Sequence, residues 1–273
     1  MKYTLQSSKY VFKNFIYLFP FAILPAIFFA VSTDKTAITD IVNALLAGDI
    51  SKWTFGGLFN AISLIDFASW KTFVFGTIGV ILIIFCIALL MALLEKHMRI
   101  GKRTYNGLFG KLNDNFMSTL CVVLTVLAIY ELWVLLLSAF LFLISRITIV
   151  PIAYGLVIVA FVLFHVLLMT SVGAIYLWLP CMQITGFRAI EALLYSYQLM
   201  NEVKWKIMLA QIGVLIVVES LVCLCAVCLV EIFAFRLVVA LLYAGVTMIY
   251  CVRMQIAYFD RDNIERADGR RYY

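Results

Sequence analysis

Charge is the scarcest commodity in this sequence. Only 13% of its residues are Asp, Glu, Lys or Arg, and there are two histidines and four prolines in 273 residues. A soluble domain carries about a quarter charged residues. The shortage excludes an ordinary globular enzyme surface. No Walker loop, GxSxG elbow, His-rich cluster or soluble carboxylate pair is present. The sequence therefore gives no catalytic residue, no metal site and no cofactor, and we read the chain as not an enzyme. No basic domain with interleaved aromatics is present either, which excludes nucleic acid as a partner.

Hydrophobic residues make up 65% of the chain, and they fall in long runs. A helix needs about 20 apolar residues to cross a bilayer. Six runs qualify, at Phe15–Val31, Phe73–Leu94, Met117–Ser145, Pro151–Pro180, Ile207–Val230 and Phe235–Tyr258. The short alternating strands of a membrane barrel are missing. The fold class is all-α: a polytopic membrane protein with six transmembrane helices. The first run is too long for a signal peptide, and five more spans follow it. The third and fourth exceed the hydrocarbon thickness and are expected to tilt or project.

Orientation follows the basic residues. Of 21 Lys and Arg, only Lys35, Lys52, Lys71, Arg146 and Arg236 fall on one side. The rest lie at the N-terminus, in the 95–116 and 181–206 loops, and in the tail, which takes in Arg253, Arg261, Arg266, Arg270 and Arg271. Both termini are therefore placed in the cytoplasm. The net charge of +6 reflects this asymmetry and an attraction to anionic lipid headgroups.

Seven cysteines, an odd number, lie mostly inside apolar runs, which argues against structural disulfides. "CLCAVC" at 223–228 has no His or carboxylate at ligand spacing, and its cysteines read as small packing residues.

Three amphipathic segments precede spans one, three and five: "YTLQSSKYVFKNF", "GKRTYNGLFGKLNDNF" and "TGFRAIEALLYSYQLMNEVKW". Ile190, Leu193, Leu194 and Tyr197 recur at helical spacing in the last. Such helices lie in the headgroup region with the apolar face down. The pattern suggests repeated elbow-plus-hairpin units of about 1–95, 98–180 and 182–258, followed by a tail at 259–273, all within one integral membrane domain spanning 1–273. Between the second and third units, Asn113-Asp114 aligns with Asn201-Glu202 and Glu131 aligns with Glu219. The loop at 32–71 reads as a short helix ending at Gly48, then an aromatic stretch that is either a cap or a re-entrant segment.

The "AIYELWV" stretch sets Glu131 deep inside span three. An isolated charge at that depth costs at least ~2.5–3.5 kcal/mol, so the group must be matched. A hairpin turn near Thr148 sets Glu131 level with His165, and a turn near Phe233 sets Glu219 level with Thr247. The four form a candidate intramembrane polar layer, with Tyr154 and Tyr176 on the face of His165. The layer either lines a cavity or joins helices. Pro20 and Pro25 could kink span one, while Pro151 and Pro180 punctuate the ends of span four.

The helix "GFRAIEALLYSYQLMNEVKWKI" and the ending "AYFDRDNIERADG" resemble features of the membrane domain found with some glycerophosphoryl diester phosphodiesterases, and of neighbouring six-helix bacterial membrane proteins. The resemblance covers mainly residues 98–268. It implies six helices with interfacial elbows and a bacterial plasma membrane. It brings no activity, because the phosphodiesterase chemistry belongs to a separate soluble domain. The expected role is a scaffold or accessory subunit of a membrane or transport assembly, with a protein partner or a second copy of itself. The alternative is a small proton-coupled or cation carrier using the Glu/His layer.

Overall fold

The computed structural model describes residues 2–201 and 203–269, and its regular structure is all helical, with no strand among them. Six helical segments are long and apolar enough to span a membrane, which makes this an all-α multi-pass membrane protein. In chain order the helices are α1 (Lys2–Lys13), α2 (Phe15–Ser32), α3 (Lys35–Leu46), α4 (Phe55–Ile62), α5 (Trp70–Ile100), α6 (Leu108–Ile144), α7 (Val150–Ala174), α8 (Trp178–Thr185), α9 (Ala189–Met200), α10 (Lys204–Cys228) and α11 (Ile232–Arg261).

The spanning helices pack in a closed order. α2 lies against α5 and α11, α5 against α6, α6 against α7, α7 against α10, and α10 against α11. Six spans bring both termini to one end of the bundle, here called the termini face.

The tightest seam is α2 on α5. A Cβ added at Gly76 would meet the Ser32 Oγ at 2.8 Å and the Ile65 backbone at 3.3 Å. One added at Gly79 would meet the Phe29 ring at 3.2 Å. Small residues allow such approach where lipid supplies no hydrophobic drive between helices. Pro20 and Pro25 leave α2 helical from end to end. The break lies before it, at Asn14, whose side-chain amide donates to the Tyr10 carbonyl at 2.9 Å and competes with the helix ladder.

Span four corrects the reading of Pro180 as punctuation. α7 ends at Ala174, three residues form a turn, and α8 starts at Trp178. Pro180 has no N–H to donate and its ring clashes with the carbonyl four residues earlier, that of Tyr176. The helix breaks where that carbonyl sits. Tyr176 therefore occupies the break and does not continue the face of His165.

Two of the three amphipathic segments form separate helices, α1 and α9. The middle one does not. Residues 108–116 run without interruption into α6, a single helix of 37 residues. On α9, Ala192, Ser196 and Met200 face the protein, while Ile190, Leu194 and Tyr197 are exposed along the other side. The outward apolar stripe suits a helix lying in the membrane interface. Of the pair aligned with Asn113-Asp114, Glu202 lies outside the described residues. His97 is buried on α5 and its Nδ1 is hydrogen-bonded with the Tyr10 hydroxyl.

Opposite the termini face, residues 33–69 fold into the bundle. Asp34 caps α3 by accepting from the Thr36 and Ala37 amides, and Gly48 follows its end with φ +76°. Lys35 Nζ donates to the Val230 carbonyl at 2.9 Å and to that of Leu229, closing the exposed end of α10. Thr39 Oγ1 donates to the Ala226 carbonyl at 3.2 Å. Tyr154 Oη donates to the Leu45 carbonyl at 2.9 Å. α3 thus straps the α6–α7 hairpin to the α10–α11 hairpin.

The α2–α5 seam gives a direct test. Gly76→Ala should cost about 1–3 kcal/mol of stability in detergent, because the new methyl meets backbone. Gly155→Ala, with open space around the position, should cost nothing. Equal effects in denaturant titrations of the two variants would contradict the close approach.

Candidate functional site

The two membrane-embedded acids find different partners. Glu219 of α10 pairs with His165 of α7: Nε2 and Oε2 stand 2.9 Å apart. The His165 side chain is 2% exposed and the Glu219 side chain 29%. His165 Nδ1 lies 2.8 Å from the Phe161 carbonyl oxygen, which can only accept. Nδ1 therefore carries a hydrogen. With both bonds kept, one proton lies between Nε2 and the carboxylate. The pair is either imidazolium with carboxylate or imidazole with carboxylic acid, and its net charge is zero in both forms. Neutrality makes it tolerable among apolar helices, where a lone charge is not. The Trp133 ring stands edge-on to the imidazole at 5.2 Å, and the Phe161 ring lies 3.9 Å from it.

Glu131 does not meet His165. It accepts from the Ser63 hydroxyl at 2.8 Å and from the Leu64 amide at 3.1 Å. Beside it, Tyr130 Oη donates to the Ile62 carbonyl at 2.7 Å. Both residues of α6 thus hold the turn that follows α4. The turn also reaches α2, where the Asp66 amide donates to Ser32 Oγ at 3.2 Å. Of the two readings of the aromatic outer stretch, the structure shows a segment folded in among the helices, meeting Glu131 below the tip of the α6–α7 hairpin.

The hairpin register read from the sequence is nearly right, and the direction of the side chain is what fails. Trp133 Nε1 donates to the Phe164 carbonyl at 2.6 Å, which sets these two residues side by side. Glu131 precedes Trp133 by two positions, about 200° around the helix. The face toward His165 belongs to Trp133, and Glu131 points toward α4.

Thr247 also leaves the proposed layer. Its hydroxyl donates to the Tyr243 carbonyl on its own helix at 2.9 Å. The α10–α11 turn occupies residues 229–231, closer to α10 than Phe233 is. With the turn there, the position level with Glu219 falls nearer Tyr243 than Thr247. The Tyr243 hydroxyl lies 3.4 Å from Thr33 Oγ1 at the end of α2. Tyr154, eleven residues before His165 on the unbroken helix α7 and so on the same face, donates its hydroxyl to α3.

The result is two polar joints. One ties α7 to α10 through His165 and Glu219. The other ties α6 to the 63–66 turn through Glu131. Ser63 and Leu64 were not legible as partners, because nothing in an aromatic loop indicates how far it penetrates. All seven cysteines are free, and no group of three His, Cys, Asp or Glu that could hold a metal ion occurs among the described residues.

A further buried polar centre is at the termini face. Arg253, assigned from the sequence to the basic tail, lies inside α11 and is 2% exposed. Its Nε donates to Tyr176 Oη at 3.0 Å, at the break before α8. Nearby, the Tyr3 hydroxyl of α1 donates to Asp260 at 2.5 Å, and burial together with this bond pushes Tyr3 up to about 12.

A double-mutant cycle separates the joints. His165→Ala with Glu219→Ala should show a coupling of about 1 kcal/mol. His165→Ala with Glu131→Ala should lie within about 0.5 kcal/mol of additivity. The reverse pattern in unfolding measurements would restore the single layer. No protein-family model, no curated protein and no solved structure matches the chain.

Proposed function

We propose that the chain is a non-enzymatic membrane scaffold or accessory subunit, holding a partner protein or a second copy of itself within a membrane or transport assembly. The observation that carries this reading is the fate of the two acids. Each is matched to a group on another element, so the polar positions serve to join hairpins and loop. Joints of this kind fix the relative placement of long helices, which a docking platform needs. The exposed apolar stripes of α6 and α7, together with Gly155, whose surroundings are open, leave helix surface on which another span can pack. The basic bias of the loops at the termini face favours a cytoplasmic location for both termini, in a bacterial plasma membrane by the family resemblance.

A second reading keeps one specific support. The His165–Glu219 pair shares a proton, and Glu219 retains accessible surface. Proton relays and cation carriers use such groups.

Gentle purification with in-cell crosslinking tests the first reading. A defined partner or a homo-oligomer is the expected outcome, and a strictly monomeric protein crosslinked to nothing would overturn it. Proton or cation flux in liposomes tests the second. The scaffold reading expects background flux from wild type and from Glu219→Gln alike. Flux in the wild type that Glu219→Gln abolishes, with folding preserved, would establish the carrier.

A further inference from the structure

We propose that a cavity between α1, α10 and α11 at the termini face binds a phosphate group, carried by an anionic phospholipid headgroup or present as free phosphate. The cavity measures about 120 Å³ and is lined by Lys2, Tyr3, Thr4, Lys206, Ile207 and Arg253, with Val203 at its edge. That is room for about four water volumes.

Its charge is one-sided. Among the described residues the cavity is lined by three cations, Lys2, Lys206 and Arg253, and by no acid; Asp260 pairs with Lys2 at 3.3 Å and accepts from Tyr3. Among the described residues no carboxylate lies within ion-pair distance of Lys206 or Arg253.

Arg253 is the decisive group. A guanidinium 2% exposed is costly to bury without a counter-charge. One edge is satisfied by Tyr176, and its ring stands 5.8 Å from the guanidinium carbon. The Nη1 nitrogen is buried with no hydrogen-bond partner. A guanidinium held at one edge by a tyrosine, with donors left over, is built to meet a planar or tetrahedral oxyanion.

The amino end of α10 adds to the field. Its cap residue Val203 offers no side-chain acceptor, so the first-turn amides and the positive end of the helix dipole stay available beside the cavity. Thr4 can supply a neutral donor. The site lies between the amphipathic helix α1 and the ends of two spanning helices, and amphipathic helices of this kind lie in the headgroup region.

Native mass spectrometry and thermal unfolding of the purified full chain decide the matter. The probes are phosphatidylglycerol, phosphatidylcholine and inorganic phosphate. Wild type should retain phosphatidylglycerol and be stabilised by it. Arg253→Gln and Lys206→Gln should each weaken retention about tenfold or more, the effect of losing a charge-assisted bond. Lys9→Gln, which removes an exposed charge of α1 outside the cavity, should bind as wild type does. If Arg253→Gln does not fold, Lys206→Gln at the rim decides alone. Displacement of the lipid by millimolar inorganic phosphate would assign the site to free phosphate, and its failure would assign it to the lipid. No retention by wild type, wild-type retention by Lys206→Gln, or an equal loss in Lys9→Gln would overturn the proposal.

Discussion

A carboxylate inside an apolar helix has to be matched, and the arrangement of this bundle follows from how two of them are. Glu219 reaches His165 and shares a proton with it, so α7 and α10 are held across the ring with no net charge between them. Glu131 turns the other way and receives a hydroxyl and an amide from residues 63 and 64. The first joint fixes where the last hairpin stands against the third and fourth spans. The second draws the connection between the first two long helices down among the others. α3 then completes the assembly by bonding to both hairpins near their tips.

The two ends of the molecule solve different problems. Opposite the termini, backbone groups at helix ends are closed by side chains of the strap, as Lys35 does for α10. At the termini face, the breaks at Asn14 and before α8 let short helices turn along the surface. Proline and asparagine act there through simple chemistry: one withholds a donor and the other offers a competing one. The break at Pro180 also gives Tyr176 a position from which it holds Arg253. A local rule about proline thus leads directly to the placement of a buried cation.

The spans were legible because apolar length is a one-dimensional signal. The register of the α6–α7 hairpin was legible as well, since a short turn fixes which residues lie level, and Trp133 beside Phe164 agrees with it. Azimuth was not. Depth alone cannot say which of several level residues faces a neighbour, so Trp133 took the place expected of Glu131. Thr247 was misplaced by a turn assigned a few residues too late. Arg253 was counted as tail because charge near a span end looks the same whether it snorkels outward or is buried. The penetration of residues 63–66 carried no signal, for aromatic loops at an interface and within a bundle have the same composition.

The central claim is that the embedded acids act as joints. Hydrogen–deuterium exchange on wild type and Glu131→Ala tests it most directly. The account predicts that the amides of residues 63–66 exchange much faster in the variant while α6 keeps its protection. Unchanged protection of that turn, or a loss of protection spread evenly over the bundle, would contradict it.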